Sequence, residues 1–226
     1  MALPEIEFAF APYRLSGVVV GCLLNHAPAL AALGDAAHAP PYKAPPRAPV
    51  LYVHPRNALA GDGATVAVPA DVAELELGAA LGLVIGRTAC RVREADALSH
   101  IAGGVIVAEL CVPHASFYRP SVRLKARDGF CPIGPRVERL ADPDALGVRV
   151  FVDGAQVHRT TTGERVRGAA RLLADVSEFM TLSPGDVLVL GLSAGAPRMR
   201  AGQHARVEID GLGALSLALA AEEATA

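Results

Sequence analysis

The feature that most limits what this chain can become is its punctuation. Eight short apolar segments, most of them rich in β-branched residues, recur along the sequence, and each is bounded by Gly, Pro or polar turn residues. They are Gly17 to Leu24, Val50 to Val53, Ala64 to Val68, Leu81 to Ile85, Gly104 to Leu110, Val148 to Val152, Val187 to Leu190 and Ala205 to Ile209. Runs of four to eight residues with that composition read as strands. Helical signals are fewer. Pro28 to Leu33 follows a strand closely. Glu94 to Ile101 carries acids in its first turn, where they complement the helix dipole. Arg167 to Met180 places Leu172, Val176, Phe179 and Met180 on one stripe. The segment 38–49 is proline-rich and reads as an extended surface connector. The reading is a β-rich α+β chain. An N-terminal strand, short helix and connector (1–48) precede a larger domain (49–226).

Composition narrows the class. Of the 226 residues, 52% are hydrophobic and 19% charged, which excludes a disordered chain. A net charge of −2 argues against nucleic acid as a partner, because such binders carry a basic footprint. Four cysteines with no Cys-x-x-Cys pattern suit a reducing compartment. Charges or prolines interrupt every apolar run before it reaches membrane-spanning length. The opening residues carry acids where a secretion signal needs bases. These points lead to the expectation of a cytoplasmic protein with no membrane partner.

Three groups of ionisable residues stand out. Glu109 lies inside the apolar run GVIVAELCV, where an acid is costly unless paired, protonated or metal-bound. The alternative is an edge-strand acid facing water. Arg119, Arg123, Lys125, Arg127 and Asp128 crowd into ten residues. If Val122 to Arg127 is extended, then Arg123, Lys125 and Arg127 share a face and could receive a carboxylate-rich small molecule. The competing reading is a solvated face on which Asp128 pairs with an arginine. Glu74 and Glu76 would also share a face if extended. Such a pair suits a hard cation such as Mg²⁺, or is an acidic solvent face. Cys131, before Pro132, reads as a turn residue. His26, His54, His114 and His158 are scattered, with nothing to single one out.

FYRPSVRLKARDGFCPIGP (117–135) is the most specific motif, supported by PYKAPPR (41–47), HPRNAL (54–59), VSEFMTLSPGDVLVLG (176–191) and VEIDGLGAL (207–215). On these residues the chain resembles the fumarylacetoacetate hydrolase family from about Gly17 to Leu217. Within it, the chain is similar to the branch that isomerises and decarboxylates acids of homoprotocatechuate (4-hydroxyphenylacetate) breakdown. The resemblance implies a mixed sheet rolled into a partly open barrel. It implies Mg²⁺ or Mn²⁺ held by a Glu-x-Glu strand and a later Asp, and substrates that are 2-oxo or 2-hydroxy-enoic di- or tricarboxylic acids. The metal would act as a Lewis acid. Lys125 matches the family lysine as a catalytic candidate, and Tyr118, Arg119, Arg127 and Asp128 match its neighbours, with Tyr118, Arg119 and Arg127 as substrate-binding candidates. Glu109 falls at the third ligand position. Anchored on Val84-Ile85-Gly86, the two glutamate positions fall on Gly78 and Ala80. Glu74 and Glu76 carry the right pattern four residues early, about 13 Å along a strand. The dyad histidine position is Ala29, the Lys-Pro lysine is His54, and the loop threonine is Leu192.

This pattern is similar to the metal-free N-terminal half of a two-part isomerase/decarboxylase. The expected substrates are 5-carboxymethyl-2-oxo-hex-3-ene-1,7-dioate and 2-hydroxyhepta-2,4-diene-1,7-dioate. The chain is expected as a homodimer, or as a heteromer with a paralogous catalytic subunit. In the competing readings it is active through Glu109, Glu74 and Glu76, is a silent structural paralogue, or hydrolyses acylpyruvates.

Overall fold

The computed structural model describes residues 17–116, 118 and 121–222. In chain order the strands are β1 (Val19–Leu23), β2 (Val50–His54), β3 (Leu59–Ala60), β4 (Ala64–Val68), β5 (Leu75–Ile85), β6 (Ile101–Cys111) and β7 (Cys131–Pro132). They continue with β8 (Gly147–Val152), β9 (Ala155–Thr161), β10 (Val187–Val189), β11 (Arg198–Met199), β12 (His204–Ile209) and β13 (Gly213–Ala221). The α-helices are short: α1 (Ala27–Ala31), α2 (Glu94–Ala97), α3 (Val122–Lys125) and α4 (Ala169–Ser177). The chain is α+β and strand-rich, and its sheets do not close into a barrel.

The largest sheet is mixed. Its order is β11-β5-β10-β1-β2, with β6 on the other edge of β5. β1 runs parallel to β10, and the other pairings are antiparallel. A five-stranded sheet, β4-β13-β12-β8-β9, and the small pair β3-β7 complete the fold. β5 explains how these parts meet. Side chains alternate across a strand. Leu75, Leu77, Ala79, Leu81, Leu83 and Ile85 point into one large core, where they join Val148, Val150, Val207, Leu215 and Leu217 of the five-stranded sheet. Ala80 and Val84 point to the opposite face, into a smaller cluster with Val105, Val107, Val187, Val189 and Cys131. Glu76 and Gly78 belong to that second face, as do Glu109 and Cys111 of β6. The register sets Gly78 opposite Glu109 and Glu76 opposite Cys111.

Several sequence expectations change. Val122 to Arg127 is not extended: the N–H groups of Leu124 and Lys125 both donate to the Ser121 carbonyl and turn the segment into α3. Arg123, Lys125 and Arg127 therefore share no strand face. Arg123 is exposed and Lys125 is buried. Asp128 accepts from Asn57 Nδ2 at 2.7 Å. Cys131 is a fully buried strand residue, since β7 pairs with β3. The helix from Glu94 is one α-turn and one 3₁₀ turn, and Ile101 already begins β6. α4 ends at Ser177, so Leu172 and Val176 are buried but Phe179 is 68% exposed. Among the described residues no helix is long and apolar enough to cross a membrane.

Candidate active site

A cavity of about 440 Å³ opens on the second face of the β5-β6 pair. Glu109 forms its charged floor and is fully buried. β6 brings it there because Val105, Val107, Glu109 and Cys111 alternate onto the same side. Lys125 reaches it from the end of α3, with Nζ 3.0 Å from Glu109 Oε2. Tyr52 hydroxyl donates to the same carboxylate, 2.5 Å from Oε1 and 2.7 Å from Oε2. His54 Nε2 lies 3.3 Å from Oε2. Tyr52 and His54 are two apart on β2 and so present the same face. The Lys125 ammonium also lies 4.9 Å from the Tyr52 ring centroid, a cation–π contact.

The loop that carries Lys125 is tied down at both ends. Val112 N–H donates to the Leu124 carbonyl and Leu110 N–H to the Phe130 carbonyl. Asn57 Nδ2 donates to the Ala126 carbonyl, and the Asn57 carbonyl accepts from Gly129 N–H. The HPRN segment after β2 is thus the clamp that sets the lysine against Glu109.

Electrostatics favour the ionised pair. Burial by itself would push the Glu109 carboxyl up. The Lys125 ammonium, the His54 ring and the Tyr52 hydroxyl outweigh burial and hold it well below the usual carboxylate range. Burial disfavours the Lys125 cation, but the Glu109 charge more than compensates and its pKa is raised. Tyr52 is held protonated by burial and by the adjacent carboxylate. Burial pushes the cavity thiols Cys22 and Cys111 up to about 11, so neither is a nucleophile at neutral pH.

The opposite wall is apolar. α1 contributes Ala29, the turn after it Ala32 and Leu33, and the loop after β10 contributes Leu192 to Ala196. His26 joins these two elements: its Nδ1 accepts from Ala29 N–H at 3.3 Å and from Ala194 N–H at 3.1 Å. A Cβ built on Gly78 would lie 2.6 Å from both terminal carbons of Leu192. Leu192 therefore fills the space in which a side chain at position 78 would project. Gly21 is equally constrained, because a Cβ there would enter the Tyr52 ring. Gly21→Ala is expected to displace Tyr52 from Glu109 and to cost about 1–3 kcal/mol by overpacking. Urea denaturation of the variant checks this.

Of the residues singled out by sequence, Lys125 and Glu109 come together. Glu76 also lines the cavity, but Arg198 lies 3.7 Å from it. Glu74 is held outside by Arg200 at 2.7 Å. Tyr118 is half exposed and meets Tyr42 edge-on, and Arg127 Nε donates to the Arg123 carbonyl. Neither Tyr118 nor Arg127 lines the cavity. Arg119 lies outside the described residues. Tyr52 was not singled out by the sequence, and His54 was only one of several scattered histidines. The alternation Tyr-x-His before Pro55 was the available signal.

Among the described residues, those lining this cavity do not fit a divalent cation. A hard cation needs several oxygen ligands. Gly78 and Ala80 offer none, Leu192 covers the first of them, and Glu109 is already neutralised by Lys125. Among the described residues, no group of three or more His, Cys, Asp or Glu side chains is placed to hold a metal ion.

Comparison with known proteins identifies the family. The chain is 38% identical over 197 residues to the 4-hydroxyphenylacetate degradation bifunctional isomerase/decarboxylase of Escherichia coli, covering 87% of this chain and 46% of that protein. It thus spans about half the length of the curated relatives it matches. Its structure superposes on a 5-carboxymethyl-2-hydroxymuconate delta-isomerase from Mycobacterium smegmatis with a TM-score of 0.79 at 26% identity, covering 95% of this chain and 82% of that one. A fumarylpyruvate hydrolase from Pseudomonas aeruginosa, solved with Mn²⁺ and pyruvate, shares the fold at TM-score 0.79 and 22% identity over 98% of this chain and 97% of that one. The profile of the fumarylacetoacetate (FAA) hydrolase C-terminal domain matches residues 18–219. The chain is therefore a member of the fumarylacetoacetate hydrolase family.

Proposed function

We propose that this chain is a subunit of an isomerase/decarboxylase of 4-hydroxyphenylacetate catabolism. It works beside a paralogous subunit that carries the divalent metal, Mg²⁺ or Mn²⁺. The pathway acids are 5-carboxymethyl-2-oxo-hex-3-ene-1,7-dioate and 2-hydroxyhepta-2,4-diene-1,7-dioate. One observation carries the reading: Gly78 with Leu192 packed over it, facing an intact Lys125–Glu109 pair. Apolar packing fills the side of the pocket where a cation would need oxygen donors, and the lysine and its carboxylate partner stand on the other. Lys125 offers a fixed positive charge to a substrate carboxylate or enolate oxygen.

The test is an assay of CO₂ release from 5-carboxymethyl-2-oxo-hex-3-ene-1,7-dioate by this chain alone, by the paralogous subunit alone, and by the mixture. The expected result is Mg²⁺-dependent release that rises at least about tenfold on mixing, which corresponds to ~1.4 kcal/mol of barrier. Full activity of this chain by itself would overturn the division between subunits. An acylpyruvate hydrolase is disfavoured because Ala29 stands at the dyad histidine position, so that position offers no base to activate water.

A further inference from the structure

His26 is buried, 4% exposed, where two walls of the cavity meet. It caps α1, and its Nδ1 accepts from Ala29 N–H at 3.3 Å and from Ala194 N–H at 3.1 Å. An imidazole nitrogen accepts only through its lone pair. Nδ1 is therefore bare, and the neutral ring carries its proton on Nε2. Nε2 lies 3.6 Å from Glu164 Oε2. A second proton can enter only at Nδ1, on the lone pair that both N–H groups share. Protonation and the two contacts exclude each other. Among the described residues, the ionisable groups that act on the ring are Glu164 and Arg165, on the segment before α4, and His158 on β9. α1 and the loop 191–197 carry none. Burial and the Arg165 guanidinium outweigh Glu164 and hold the ring below its ordinary value of 6.5.

We infer that His26 is a positioning residue and a pH-sensitive latch: neutral, it clamps α1 to the loop at Ala194, and on gaining a proton it releases both. The wall that opens includes Ala29, Ala32 and Ala194 to Ala196. Its surroundings stay anchored. Thr160 Oγ1 donates to Ser193 Oγ at 3.0 Å, and Ala27 N–H donates to the Glu164 carbonyl at 2.9 Å. Release is therefore local and leaves the sheets intact. The open form takes up the proton more readily than the closed one. Closure is complete above about pH 6.5 and is lost as the pH falls below it. The latch works whatever acid the cavity receives.

Amide hydrogen exchange followed by NMR on the full chain tests this, with the ring-nitrogen shifts of His26 reporting its protonation. At neutral pH the Ala29 and Ala194 amides should both be protected. As the ring takes up its proton, both protection factors should fall together by about tenfold or more, while amides of β5 and β10 stay protected. His26→Asn puts an amide oxygen near the Nδ1 position and does not titrate, so both amides should stay protected at either pH. His26→Gln carries its amide too far out, near the Nε2 position, and should lose the protection already at neutral pH. Three results would each overturn the latch: protection that survives protonation of the ring, native protection in His26→Gln, or the same acid loss in His26→Asn as in the native chain. The CO₂-release assay of the mixture bears on the subunit reading alone.

Discussion

Lys125→Met is expected to destabilise the fold by about 3–5 kcal/mol, the usual cost of removing one partner from a buried ion pair. Glu109 is fully buried and only 8% of the Lys125 side chain is exposed, so water cannot replace the lost ammonium. Tyr52 and His54 remain beside the carboxylate, but the ammonium that faced it is gone. The double variant Lys125→Met/Glu109→Leu should recover most of the loss, because a well-packed apolar pair often matches a buried ion pair. The pH dependence follows from the direction of the Glu109 shift. Its folded value lies below the ordinary value of 4.5, so its contribution is complete above that value and is lost as the pH falls. In Lys125→Met, acid also protonates the exposed-to-nothing carboxylate. The gap between native chain and variant should therefore narrow below about pH 4.5. Urea denaturation at neutral and acidic pH measures both effects. A gap under about 1 kcal/mol, typical of surface pairs, would show that the pair is solvated.

The strands that frame the site were legible because they are short, apolar and punctuated. Glu109 was legible because an acid in the middle of GVIVAELCV has few ways to exist there. Lys125 was found through its motif, but the local structure around it was misjudged. Four residues, Val122 to Lys125, give too short a window for periodicity, and a single acceptor at Ser121 decides between strand and turn. Tyr52 and His54 were hidden for another reason. Their contact with Glu109 spans 57 and 55 positions and joins β2 to β6, which are not neighbours in the sheet. No local pattern encodes such a meeting. β9 and β13 were missed because AQVHRTT is largely exposed, and because alanine gives GALSLALAA little contrast between its faces.

The second large effect concerns the metal. The sequence register puts Gly78 and Ala80 where the family holds its cation. The structure adds that Leu192 covers Gly78 and that Lys125 already neutralises Glu109. A cation entering here would meet one carboxylate whose charge is already shared with an ammonium 3.0 Å from it. That ammonium would repel the cation. Glu74 and Glu76 do not supply the missing oxygens, since Arg200 and Arg198 hold them. Affinity for Mn²⁺ is therefore expected to be no tighter than millimolar.

Calorimetric titration of the purified chain with Mn²⁺ tests this most directly. Saturable binding should be absent through the micromolar range, both for the native chain and for Glu109→Gln. Micromolar binding by the native chain that disappears in Glu109→Gln, Glu74→Ala or Glu76→Ala would contradict the account, because it would place a cation where the ammonium of Lys125 is argued to stand.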